Sequence, residues 1–136
     1  MDAFTVFLNE GGFQAASLYL FGGVKFLDLL CVLMLADVIT GVLKAIKIKR
    51  LRSRKALFGY ARKIGVFVAI IVANIVDQIL GLNGAVALAT VLFYLANEGL
   101  SIVENLAQIG VKVPSVIADK LHVISEEKEK EDNKSL

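Results

Sequence analysis

The chain has 136 residues, 57% of them hydrophobic and 21% charged, with a formal net charge of +2 and a mean hydropathy of +0.70. Soluble domains average nearer to about 45–50% apolar, and here the excess is concentrated, since residues 64–97 carry one formal charge, Asp77. A domain this small has little room for two helices buried all round, so the composition argues against a soluble globule and for an all-α integral membrane protein.

Residues 1–23 are mildly apolar and broken by Gly11-Gly12 and Gly22-Gly23. Phe4, Phe7, Leu8 and Phe13 suit a short interfacial segment. Asp2 and Glu10 stand where a cleavable signal would be basic, so the first spanning helix is expected to act as its own insertion signal. That helix is predicted over residues 24–46, with Asp28 and Asp37 inside it and Lys25 and Lys44 near its ends. At 1.5 Å per residue it reaches about 30 Å, the thickness of a hydrocarbon core.

Nine cations follow with no acidic residue among them: Lys44, Lys47, Lys49, Arg50, Arg52, Arg54, Lys55, Arg62 and Lys63. A basic block between two membrane-length apolar runs reads as a cytoplasmic loop and sets the topology. It also suits anionic lipid headgroups. Nucleic acid is the poorer partner, because Phe58 and Tyr60 lie only at its far edge and provide no aromatic interleaving. Ser53 could cap a helix that leads into the second span, residues 64–80 or one turn more. Residues 81–84 turn the chain, and the third span is predicted over residues 84–100 with a less apolar continuation to 109. A strand hairpin at Asn83-Gly84 is disfavoured, because it would leave backbone groups unpaired in lipid.

Pro114 can open a short amphipathic helix over residues 114–124, with Ile117, Leu121 and Ile124 on one face. Residues 125–136 are expected to form a mobile charged tail. The organisation is therefore an N-terminal segment 1–23, a three-span domain 24–113, the helix 114–124 and the tail. With the basic loop inside, the N-terminus and residues 81–84 lie outside and the tail inside. A fourth crossing by the first twenty residues would return the N-terminus to the cytoplasm.

Small residues recur at four-residue spacing. Gly65, Ala69 and Ala73, continued by Asp77, form a stripe that permits close helix approach. Gly41 and Ala45 follow Asp37 in the same way. These are the candidate packing or homo-oligomer contacts, whether between subunits or within one. Asp28, Asp37, Asn74 and Asn97 are the candidate intramembrane polar contacts. A mid-bilayer Asp37 facing lipid would cost roughly 3 kcal/mol, so it should find a polar partner, water or the interface. Asp28 points nearly the opposite way on an ideal helix, which makes the two a poor catalytic pair.

Other chemistry is thin. His122 is the only histidine and Cys31 the only cysteine, so no metal or cofactor site and no internal disulfide is expected. The glycine pairs lack phosphate-loop spacing. Nothing supports an enzyme.

The order of motifs resembles the phage lysis and toxin-secretion holins of Gram-positive bacteria and their phages. The resemblance centres on Asp37-Val38-Ile39-Thr40-Gly41-Val42-Leu43-Lys44-Ala45. It runs on through Ser53 to Lys55, Gly59-Tyr60-Ala61-Arg62-Lys63-Ile64-Gly65, Val76-Asp77-Gln78 and Asn97-Glu98-Gly99-Leu100-Ser101-Ile102, covering residues 30–113. It implies a multi-pass protein of the bacterial cytoplasmic membrane that accumulates, oligomerises and permeabilises that membrane. Its functional partner would be an endolysin or a secreted toxin. An accessory subunit of a secretion assembly and a small ion channel are the alternative classes.

Overall fold

The computed structural model describes Thr5, Asn9 and residues 11–49 and 53–134, with side chains placed over 11–49 and 58–125. Phe4, Phe7, Leu8, Arg50 and Arg52 fall outside the described residues, as do residues 135–136. Arg54 and Lys55 lie on helical backbone. The described chain is all helical: α1 Gly12–Phe21, α2 Leu27–Lys47, α3 Ser53–Leu80, α4 Ala85–Gln108 and α5 Ser115–Lys134.

Three of these helices hold segments long and apolar enough to cross a membrane: Leu27–Lys47, Phe58–Leu80 and Ala85–Gln108. The first span starts three residues later than predicted, because Phe26 adopts φ 69 and ends the turn that Gly22 and Gly23 begin. The second starts earlier. Ser53 is the first residue of α3, and the loop-side part of that helix runs without a break into the apolar part. Residues 125–134, expected as a mobile tail, continue α5 to Lys134. A helix already nucleated propagates readily through Glu and Lys, which are good helix formers.

Leu30, Met34, Val66, Ile70, Val91, Leu92 and Leu95 form the buried core between α2, α3 and α4. Around it the surface is apolar, with Val32, Leu35 and Ile39 exposed on α2 and Ile64, Val68 and Val72 on α3. A bundle that is apolar both inside and outside suits lipid as its solvent. α4 packs against α2, α3 and α5, and no large hydrophobic side chain between Ala85 and Gln108 is exposed. Phe21 of α1 meets Phe67 of α3 edge-on at 6.2 Å between ring centroids.

Candidate functional site: an intramembrane charge cluster

Asp37, Lys63 and Glu98 come from three different helices. Each lies about 15 Å, or ten residues, from the end of its helix nearest the basic loop or the α4–α5 connection. Their equal depth lets them meet. Lys63 Nζ donates to Asp37 Oδ2 at 2.8 Å and to Glu98 Oε2 at 2.9 Å. All three side chains are less than one-fifth exposed. One ammonium thus serves two carboxylates inside the bundle.

The remaining lone pairs of Asp37 are also used. Ser101 Oγ donates to Asp37 Oδ1 at 2.7 Å, and Asn105 Nδ2 donates to the same oxygen at 3.1 Å. Asn105 Nδ2 also reaches Thr40 Oγ1 at 3.1 Å, and Thr40 in turn donates to the Ala36 carbonyl at 2.8 Å. Glu98, Ser101 and Asn105 share one face of α4, and Asp37 and Thr40 share one face of α2. Gly41 lies at that seam, where an added Cβ would stand 3.8 Å from Asn105 Nδ2. A connected network of this kind satisfies charges that could not face hydrocarbon singly.

The other end of the bundle uses polar residues differently. Asp77, 3% exposed, accepts from the Val86 and Ala87 amides at 2.9 and 2.8 Å. Those amides belong to the first turn of α4, whose own cap position, Gly84, offers no side chain. The carboxylate thus supplies the missing acceptor and complements the helix dipole. Asn74, 4% exposed, donates to the Tyr19 and Leu20 carbonyls at 3.2 and 3.0 Å and so satisfies the end of α1. A side chain at Gly22, where φ is 66, would run into that amide.

The candidate residues therefore part company. Asp37 joins Lys63, and Asp28 stays exposed on α2 beside a crevice of about 720 Å³ lined by α1, α2 and Phe67. Asn97 is exposed, and its neighbour Glu98 faces inward instead. Along the α3 stripe Gly65 is open, Ala69 half-buried, and Ala73 and Asp77 buried within the subunit. Ala45 and Lys44 are half-buried, while Lys47, Lys49 and Arg62 are exposed. Glu98, Ser101 and Asn105 were not picked out as contacts from the sequence. Their i, i+3, i+7 spacing on the third span was the available signal. Among the described residues, no group of three or more His, Cys, Asp or Glu is placed to hold a metal ion.

Three long apolar helices that gather Asp37, Lys63 and Glu98 between them define an integral membrane protein of multi-span helical type. The model of the bacteriophage holin family matches residues 15–126, and the chain belongs to that family. It is 57% identical over 129 residues to a probable holin of Bacillus phage phi105, covering 95% of this chain and 96% of that one. It is 58% identical over 133 residues to the uncharacterized protein YqxH of Bacillus subtilis strain 168, covering 98% and 95%. A 14.9 kDa uncharacterized protein in the nagH 3' region of Clostridium perfringens is 37% identical over 101 residues, covering 73% and 76%. No solved structure matches the chain. Family membership makes it a non-enzymatic membrane protein.

Proposed function

We propose that the chain is a holin that accumulates in the cytoplasmic membrane of a bacterial host, self-assembles, and opens that membrane to a separate endolysin or a toxin cargo. The observation that carries this reading is the Asp37–Lys63–Glu98 cluster held inside three apolar helices. A lone subunit has a packed core of Leu30, Ile70 and Val91 where a channel would run, so passage requires several copies. Its apolar exterior keeps such a subunit dissolved in lipid.

In the assembled lesion the helices part along the network, and Asp37, Lys63, Glu98, Ser101 and Asn105 exchange one another for water. Charged side chains in membrane proteins face either a bundle interior or an aqueous cavity, and the same residues serve both states. The loop between the first two spans, residues 48–57, lies in the cytoplasm near anionic headgroups, with residues 81–84 outside and the C-terminus inside. None of these groups makes or breaks a covalent bond; the wall-degrading chemistry belongs to the partner.

The test is leakage of dyes of graded size from liposomes holding purified protein at rising protein-to-lipid ratio. Broad leakage above a threshold ratio is the expected result. In cells, induction should collapse the membrane potential and, with a cytoplasmic endolysin, give abrupt lysis. Ion-only conductance would replace the reading with a channel, and tight vesicles at every ratio with an accessory subunit.

A further inference from the structure

The connection after α4 turns at Gly110, where φ is 89, and α5 folds back along α4. Gly99 marks the closest approach, since a Cβ built there would stand 2.6 Å from Leu121 Cδ2. Three residues further on, Ile124 packs against the buried core. The register set by these contacts, continued at 1.5 Å per residue, carries residues 126–134 beside the half of α4 nearest Ala85.

That position conflicts with the spans. α4 is long and apolar enough to cross a bilayer over its whole length, Ala85–Gln108. Residues 126–134 comprise eight charged residues and one asparagine. Docked α5 would hold that segment at the depth of the hydrocarbon, where charges are rare and poorly tolerated. Contact at Gly99 and insertion of α4 are therefore states of the chain that exclude each other in lipid.

We propose that α5 is a release helix: when the bundle enters the bilayer α5 leaves α4, and the strip of α4 around Gly99 that it covered takes the same strip of a second copy. Released, α5 lies at the cytoplasmic surface with Val116, Ile117 and Val123, already exposed, towards lipid and its charged end in water. The bared strip holds Ala96, Gly99 and Val103 at helical spacing, and the missing side chain at Gly99 leaves a notch shaped for a helix. Membrane helices associate through such close van der Waals contact, which a disordered lipid tail matches poorly. Two parallel α4 helices related by a two-fold axis along the membrane normal bring Gly99 to Gly99, a self-complementary contact. This inference rests on the self-assembly proposed above and names the surface that performs it.

The test uses the full chain with Cys31→Ser in inverted membrane vesicles. Oxidation of Gly99→Cys should shift the protein to a disulfide dimer, and Lys130→Cys should react with an impermeant maleimide from the cytoplasmic face. In the double variant Gly99→Cys/Leu121→Cys, an intrachain bond as main product with no 99–99 dimer would overturn the proposal. If Gly99→Cys fails to insert, Val103→Cys, one turn along the same strip, is read instead, and absence of dimer there overturns it too. Leu121→Ala, which weakens docking without touching the bared strip, should leave the dimer yield unchanged or raised; loss of the dimer would place α5 in the interface and refute its release. Dimers in vesicles that stay tight would keep this surface and remove the permeabilisation reading, whereas leakage without dimers would do the reverse.

Discussion

Replacing Lys63 by Met removes the only ammonium from a cluster of two carboxylates. Two charge-assisted hydrogen bonds vanish, at 2.8 and 2.9 Å, each contributing about 1.5–3 kcal/mol. Asp37 and Glu98 are then left facing each other, 16% and 12% exposed. Breaking a buried pair by removing one partner costs about 3–5 kcal/mol. Protonating one carboxylate limits the loss, and for an ordinary carboxyl at pH 7 that step costs about 4 kcal/mol. We expect Lys63→Met to lose ~3–4 kcal/mol in SDS titration of detergent-solubilised protein followed by circular dichroism. The triple variant Asp37→Asn/Lys63→Met/Glu98→Gln leaves no charge in the cluster and should recover more than half of that loss. It should also separate the two functional states. Lys63→Met destabilises the closed bundle relative to a water-lined one, so leakage should begin at a lower protein-to-lipid ratio. The triple variant offers water little and should leak later than the parent. A loss under about 1 kcal/mol, the worth of a surface pair, together with no recovery in the triple variant, would refute the reasoning.

Asp77→Ala should destabilise by about 0.5–2 kcal/mol, the usual value of a helix cap, with faster amide exchange at Val86 and Ala87 and none of the change in leakage threshold expected at Lys63. Ala73→Leu overfills a buried site and should cost about 1–3 kcal/mol, whereas Gly65→Leu enters open space and should leave stability near the parent while weakening crosslinked oligomers if that end of α3 meets another copy. Equal stability loss at both positions would mean that the stripe is buried along its whole length. Cysteines near Ser53 and Asn83, in a Cys31-free background, should label from the cytoplasm and from outside respectively; the reverse pattern would invert the proposed orientation.

The three spans were legible because hydrophobic length is a local property. So was the start of α3 at Ser53, where a serine precedes good helix formers. The ends of the spans were less legible. Phe26 ends the Gly22-Gly23 turn in a left-handed conformation, which is unusual for a phenylalanine and leaves no trace in hydropathy. The path of α5 was hidden as well. Sequence gives the apolar face of Ile117, Leu121 and Ile124, but its seat on α4 depends on one glycine in another helix.

Polar residues show most clearly where local reading stops. Asp37 declared its need for a partner by sitting in an apolar helix. The identity of that partner depended on depth, a quantity set by the lengths of three helices together. Lys63 read as one of nine loop cations, yet α3 begins at Ser53 and carries it about 15 Å along the helix to the level of Asp37 and Glu98. Asn74 and Asp77 gave the opposite case. The four-residue register of Asp77 with Gly65, Ala69 and Ala73, and Asn74 beside that stripe, suggested helix faces meeting, and Asp77 does share the buried side of α3 with Ala73. What Asn74 and Asp77 touch, however, is the backbone at the ends of α1 and α4. Helix ends near a turn expose unpaired amides and carbonyls, and in lipid these must be satisfied by protein. A polar residue one turn inside a span is therefore as well placed to finish a neighbouring helix as to join a second subunit, and here the distances assign both side chains to the former.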